Sequence, residues 1–187
     1  MKNAEFGAVV KKKPVPFEPN NLGESVNTDQ YEYFPVLTAD EQTLVFTRNQ
    51  RSQRGDYQED FYVSIASEDG SWARARNLGE PINTSDNEGA QTITADGQQL
   101  FFIGCNRKSG KGSCDIYHAF RNGSKWGMPR NIGSPANTSK WESQPSVSAD
   151  GKTLYFVSNR SGGAGGMDIW VTQLAPNNEW TVPRNLG

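Results

Sequence analysis

Three carboxylates that recur at regular intervals are the first candidates for chemistry in this chain. Glu32, Glu88 and Glu142 each follow an Asn-Thr pair at the same offset. Carboxylates at equivalent places in a repeated fold would form an arc that could bind a cation or a basic peptide. A structural role is the alternative, in which each Glu accepts hydrogen bonds from a nearby turn or pairs with an arginine such as Arg107 or Arg160. The sequence leaves both roles open.

The two cysteines offer a second kind of chemistry. Cys105 and Cys114 lie at the facing ends of two predicted strands joined by an eight-residue loop, so a disulfide is geometrically plausible. Such a bond would add about 2–3 kcal/mol of stability in the chain-entropy model and would place the protein outside the cytoplasm. Free thiols are the alternative. Zinc needs about four ligands, and only His118 adjoins the cysteines, so we predict no metal and no cofactor.

The remaining residues do not match the sequence motifs of common catalytic or phosphate-binding sites. The glycine-rich stretch at 104–112 differs from a phosphate-binding loop, because no Ser or Thr follows Lys111 and no helix is predicted after it. A Ser-His-Asp triad could draw only on His118, and no G-x-S-x-G pattern is present. Nothing singles out a carboxylate pair of the glycosidase type. We therefore predict that the chain is not an enzyme.

The candidate residues belong to a repeat. Asn-Leu-Gly or Asn-Ile-Gly begins at positions 21, 77, 131 and 185, so successive copies are 56, 54 and 54 residues apart. A period of this length is typical of a β-propeller blade. Other positions agree between copies: Asp60, Asp115 and Asp168 before a third predicted strand, Asp96, Gly97, Asp150 and Gly151 in a turn, and Trp72, Trp126 and Trp180 in a fourth strand.

Each copy reads as four short strands, A to D. In the third copy the alternation of apolar and polar residues predicts strands near 144–148, 152–158, 168–174 and 178–184. Asp-Gly supplies the positive φ that a tight A–B turn requires. The first copy has Glu41 where the others have glycine, so we expect its turn to differ or to be strained. The B–C loop is the variable element.

These patterns predict an all-β fold, a β-propeller of three four-stranded blades of about 54 residues. The blades would span 21–76, 77–130 and 131–187, after an N-terminal tail and remnant of an outer strand at 1–20. Closed propellers usually have four to eight blades. We therefore expect part of a larger, six-bladed propeller, formed by a longer chain or by two chains. Exposed blade faces should favour self-association.

Charge and hydropathy argue against two classes of partner, nucleic acids and the interior of a membrane. The net charge is −2, with 19 basic and 21 acidic residues interspersed, which is unlike a nucleic-acid-binding surface. The one basic run, at 11–13, reads as a solvated tail. No apolar run approaches the roughly 18 residues of a membrane span. The N-terminus also lacks a signal-peptide core, so we expect either a cytoplasmic protein or one whose true N-terminus lies upstream.

The combined pattern resembles a known repeat family. S-A-D-G-K-T-L-Y-F-V-S-N-R at 148–160 with G-G-M-D-I-W at 165–170 resembles the WD-repeat-like β-propeller repeat of the TolB type. The N-L-G-E-P-I-N-T linker at 77–84 resembles the version in Bacteroidetes envelope proteins of the OmpA family. The resemblance covers residues 21–187 and is weaker in the first copy.

The resemblance implies a non-catalytic interaction or scaffold module in the periplasm or at the outer membrane. Its partners would be proteins or peptidoglycan-associated components of the envelope, bound at the B–C loops or around the channel mouth. The competing hypothesis is the propeller portion of a peptidase or glycosidase whose catalytic residues lie outside this chain.

Overall fold

The fold consists of short antiparallel strands in three sheets. The computed structural model describes residues 10–12, 16–51 and 55–187. The strands of the first sheet are β1 (Tyr31–Leu37), β2 (Thr43–Arg51), β3 (Tyr57–Ile65) and β4 (Arg76–Asn77). The second sheet contains β5 (Glu88–Ile93), β6 (Gln99–Cys105), β7 (Cys114–Asn122), β8 (Lys125–Trp126) and β9 (Arg130–Asn131). The third contains β10 (Glu142–Val147), β11 (Thr153–Ser158), β12 (Asp168–Gln173) and β13 (Arg184–Asn185).

Each sheet follows the chain in a simple meander. The first sheet is ordered β1-β2-β3-β4 and the third β10-β11-β12-β13, while β8 and β9 both pair with β7 as the outer edge of the second. We call the sheets blades 1, 2 and 3. The prediction of an all-β propeller with three four-stranded blades is confirmed.

The predicted outer strand of the third copy is wrong in extent. In place of a strand at 178–184, a single bridge joins Leu174 to Trp180, and β13 then pairs with β12. Pro183 lies between these two contacts and has no N–H for a ladder. Blade 1 repeats the arrangement with a bridge from Ala66 to Trp72 before β4. The outer strand therefore consists of two short, separate pairings instead of one continuous strand.

The first strand of every blade contains a bulge in which the residue with positive φ is not a glycine. Phe34, Ala90 and Gln144 have φ of 51°, 49° and 50°, and the pairing register shifts at each of them. A β-bulge of this kind bends the strand and re-aims the side chains that follow it. The three blades therefore share a distortion as well as a strand order.

The blades pack face to face through apolar side chains. On blade 1, Val45, Phe61 and Val63 form what we call its trailing face, and they pack on the leading face of blade 2, which includes Leu100 and Phe102. The Phe61 and Phe102 rings meet edge to face at 5.4 Å. A second core joins the trailing face of blade 2 to the leading face of blade 3 through Phe101, Ile116, Leu154, Phe156 and Trp170.

The trailing face of blade 3 is open. Tyr155 and Ile169 are 43% and 54% exposed, whereas their counterparts in blade 2, Phe101 and Ile116, are both fully buried. Leu186 is also exposed on this side. An apolar blade face without a neighbour agrees with a partial propeller, and self-association through it stays a prediction.

Asparagine side chains connect neighbouring blades. The Asn83 side chain accepts from the backbone N–H of Phe61 at 2.9 Å and donates to the Phe61 carbonyl at 2.9 Å. Asn137 makes the same two bonds to Ile116, at 2.9 and 2.8 Å. Each linker therefore hydrogen-bonds to the third strand of the blade before it.

The A–B turns share one geometry despite the substitution at Glu41. Asp40 accepts hydrogen bonds from the Thr38 hydroxyl and the Gln42 backbone N–H, and Asp96 and Asp150 have equivalent partners. The next residue is left-handed each time: φ is 58° at Glu41, 67° at Gly97 and 72° at Gly151. The expected strain at Glu41 is therefore present, because a side chain disfavours this region.

We expect Glu41→Gly to raise the free energy of unfolding by about 0.5–1 kcal/mol, since glycine adopts this φ freely. The reciprocal change Gly97→Glu should lower it by about 1–2 kcal/mol. Urea unfolding measures both. Equal effects of the same sign would contradict strain as the cause.

Candidate functional site

The three repeated glutamates lie in ion pairs. Glu32 accepts from Arg48 at 2.7 Å and Glu88 accepts from Arg107 at 2.7 Å. In blade 3 the Arg160 guanidinium lies 3.1 Å from the Glu142 carboxylate. Each carboxylate also accepts from the threonine hydroxyl four residues before it, at 2.6–2.7 Å: Thr28, Thr84 and Thr138.

Each arginine of these pairs also touches an aromatic ring and the preceding linker. The guanidinium carbon of Arg48 lies 4.1 Å from the Tyr62 ring centroid, and that of Arg107 lies 4.9 Å from the Tyr117 centroid. Arg48 and Arg107 also donate to linker carbonyls, at 2.9 and 2.6 Å. Arg160 makes equivalent contacts with Trp170, whose ring centroid lies 5.3 Å from the guanidinium carbon, and with the carbonyl of Ala136. Each cluster therefore joins a linker to the strands of its blade.

The glutamates make the hydrogen bonds and arginine pairs that the structural alternative describes, and binding of a cation or basic peptide stays a prediction. The side chains of Glu88 and Glu142 have no exposed surface, so a ligand would have to displace an arginine to reach them. Burial raises the pKa of Glu88, while the hydrogen bonds from Thr84 and Arg107 act in the opposite direction. The sequence prediction missed Arg48, which follows Phe46 by two residues, whereas Arg107 follows Phe102 by five.

We expect Arg107→Met to cost about 3–5 kcal/mol at about pH 7, because it leaves the Glu88 charge buried and unpaired. Loss of Arg107 raises the pKa of Glu88 further, so the protonated form becomes favoured in the folded state. The cost should therefore shrink as the pH falls to about 5.

Urea unfolding at both pH values measures this effect. The double variant Glu88→Gln with Arg107→Met is the control, and it should be more stable than Arg107→Met alone. A cost independent of pH would show that the buried charge is not its source.

The cysteines lie at the base of the B–C loop of blade 2. Cys105 and Cys114 are partners in the β6–β7 register, and a disulfide joins them with their Cα atoms 4.0 Å apart. The loop at 106–113 also packs tightly on blade 3, since a Cβ added at Gly112 would lie 1.8 Å from the Lys140 carbonyl oxygen. The disulfide and this contact together fix the loop base.

The repeated aspartates accept two kinds of hydrogen bond, from the B–C loop backbone or from other side chains of the same sheet. Asp115 accepts from the backbone N–H groups of Lys111 and Gly112 at 2.7 and 3.2 Å. Asp168 likewise accepts from Gly165. Asp60 differs, because its carboxylate accepts from the side chains of Gln58 and Asn77.

The three tryptophans occupy equivalent positions in their blades. Trp72, Trp126 and Trp180 each sit opposite the third strand of their own blade and pack against the apolar cluster on its leading face. Burial of an aromatic ring at the same place in each blade supports the repeated architecture.

His118 lies in an aromatic stack between blades 2 and 3. Its ring stacks on Phe101 at 4.2 Å with an angle of 3° and contacts Phe120 at 4.2 Å. Burial lowers its pKa from 6.5 to about 4. Within the described ranges no group of three or more His, Cys, Asp or Glu residues is placed to hold a metal ion.

We expect NMR titration of this single histidine to give a midpoint of about 4. Because the unfolded chain protonates near 6.5, this burial supports the fold above that pH and its contribution is lost as the pH falls towards 4. His118→Phe should remove that part of the pH dependence. A midpoint near 6.5 would mean that the ring is in water.

Three antiparallel sheets stacked through apolar faces define a three-bladed part of a β-propeller. No protein-family model matches the chain, and neither does any curated protein. None of the helices in the described part of the chain is both long and apolar enough to cross a membrane.

Solved structures do match the fold. A puromycin hydrolase has a TM-score of 0.54 at 16% identity, over 82% of this chain and 23% of that protein. A puromycin-hydrolyzing peptidase from Mycobacterium tuberculosis has a TM-score of 0.52 at 16% identity, over 84% and 23%. A putative TolB from Agrobacterium tumefaciens has a TM-score of 0.41 at 18% identity, over 78% and 59%.

The chain thus spans less than a quarter of the two hydrolases. At 16% identity the likeness concerns the fold alone, and it agrees with the propeller geometry. None of these matches bears on the OmpA-family or Bacteroidetes part of the resemblance.

Proposed function

We propose that this chain is a non-catalytic β-propeller module that binds protein or peptidoglycan-associated partners in a bacterial cell envelope. The observation that carries the proposal is the disulfide between Cys105 and Cys114. Disulfides persist in the periplasm and at cell surfaces, whereas the cytosol keeps thiols reduced. The resemblance of the repeats to those of envelope propellers points to the same compartment.

The B–C loops supply the recognition surface. The loop of blade 2 is fixed at its base by the disulfide, by Asp115 and by the packing of Gly112. Its side chains at Lys108 and Lys111 are exposed. A loop that is ordered before binding loses less conformational entropy when a partner docks. Exposed loop side chains on a rigid base are therefore suited to recognition.

The propeller portion of a hydrolase is the alternative. The likeness to two puromycin-hydrolysing proteins favours it as the second candidate, although it bears on the fold alone. In that case the catalytic residues would lie in a segment outside this chain. An OmpA-like segment encoded beside this one would support the first hypothesis, and a serine-hydrolase segment the second.

Thiol trapping in the native cell tests the compartment. We expect a maleimide reagent to leave Cys105 and Cys114 unmodified until a reductant is added, and we expect the protein in the envelope fraction. In the purified protein, reduction should cost about 2–3 kcal/mol of stability. Free thiols together with recovery in the cytosol would overturn the proposal.

Photocrosslinking in the same cells tests the surface. A photoreactive residue at Lys108 should capture an envelope partner reproducibly. The control position is Lys152, which is also exposed but follows the A–B turn at the opposite end of its blade. Equal capture from both positions would indicate that the loop is not the recognition surface.

A further inference from the structure

A cleft lies between blades 1 and 2, at the end of the strands opposite the B–C loops. Its volume is about 320 Å³, at the small end of the range of roughly 300–1,000 Å³ that is usual for ligand sites. The A–B turns border it at Thr38 and Gly97, and Trp126 of blade 2 forms one wall. We call it the interblade cleft.

The interblade cleft exists because the trailing face of blade 1 is built of small residues. Val45, Val63 and Ile65 line it. Their counterparts in blade 2 are larger: Phe101, His118 and Phe120. Between blades 2 and 3 those rings stack on one another, and Phe101 meets Trp180, the counterpart of Trp126, at 6.0 Å. The same position is therefore open in one interface and occupied by rings in the next.

The rim of the interblade cleft is mainly cationic. Arg76, Arg121 and Lys125 line it together with one carboxylate, Glu80. The Arg121 guanidinium lies 5.9 Å from the Trp126 ring centroid. Among the described residues, none of these three cations forms a salt bridge. The hydrogen bonds from Thr38 and Gln42 lower the pKa of Asp40, and the charge of Arg121 acts in the same direction as a lesser cause.

Two of these cations are particular to this interface. Arg121 and Lys125 pair across the β7–β8 hairpin with Trp126 and Asn122. In blade 3 the corresponding positions hold Leu174 and Glu179, which flank Trp180. The open apolar floor and the added positive charge therefore occur together and are both missing from the neighbouring interface. That coincidence points to one ligand that has both an apolar part and a negative charge.

We propose that the interblade cleft binds a carboxylate joined to an apolar group. The aromatic or aliphatic part would pack on Ile65 and Trp126, and the carboxylate would face Arg121 and Lys125. A carboxylate is matched by the paired donors of a guanidinium. Such a group could belong to a small organic acid or to the C-terminus of a peptide that ends in an apolar residue.

The test follows the Trp126 indole N–H by NMR while 4-phenylbutyrate is added to the intact chain. We expect a saturable shift with a dissociation constant in the millimolar range, as a ligand of this size allows. The neutral analogue 4-phenylbutan-1-ol should bind at least about fivefold more weakly, because it cannot use the cationic rim.

A second ligand distinguishes a small organic acid from a peptide C-terminus as the natural ligand. It is a tripeptide that ends in phenylalanine with a free carboxylate, and it is compared with its amide. Tighter binding of the free tripeptide than of 4-phenylbutyrate would indicate a peptide terminus as the natural ligand. The reverse order would indicate a small acid. Either order of affinities supports binding in the interblade cleft.

Variants that copy residues from the interface between blades 2 and 3 distinguish the effect of the cleft's shape on binding from the effect of its charge. Val45→Phe with Val63→His fills the floor as blade 2 does and should abolish the shift. Lys125→Glu keeps the floor, changes an exposed side chain and should weaken binding at least about fivefold. The matched control Glu179→Lys adds a cation beside the filled interface and should leave the shift unchanged. Near-UV circular dichroism checks that each variant is folded.

Three results would overturn the proposal. The first is no saturable shift with either 4-phenylbutyrate or the free tripeptide. The second is equal binding of the alcohol and the acid. The third is unchanged affinity in both Lys125→Glu and the Val45→Phe, Val63→His variant.

Discussion

Every blade depends on an ion pair that is buried beneath an aromatic ring. A buried carboxylate costs several kcal/mol unless a cation and hydrogen-bond donors surround it, so each glutamate requires its arginine and its threonine. The arginine comes from the end of the second strand or the loop after it, the glutamate from the first strand, and the carbonyl acceptor from the linker. These three segments are thereby fixed relative to one another, and the B–C loop can vary in length beyond that point.

Much of the frame was predictable from local patterns. Alternation of apolar and polar residues located the first three strands of the third blade to within two residues of their observed bounds, because each strand buries one face. The Asp-Gly pairs located the turns through the φ that glycine permits. The broken outer strand was less visible, since two-residue pairings leave almost no periodicity to detect. The bulges at Phe34, Ala90 and Gln144 were also missed, because residues of these types do not favour the positive φ that they adopt here.

The sites depend on contacts that a single stretch of sequence does not contain. The partner of Glu32 was missed because Arg48 comes at a different distance along the chain from its counterparts, although it arrives at the same place in space. The interblade cleft arises from the difference in volume between Val45 and Phe101, seen against a tryptophan of the next blade. Disulfide pairing was easier to predict, because the two cysteines border one hairpin loop.

The linker asparagines give the molecule an internal reporter of its own assembly. The backbone amides of Phe61 and Ile116 lie within a strand, yet their acceptors are side-chain oxygens of the blade that follows. Solvent hydrogen exchange at these two amides would therefore detect separation of neighbouring blades even while each sheet remained paired internally. Unstacking of the blades and melting of a sheet are thus separable events, and these two amides distinguish them.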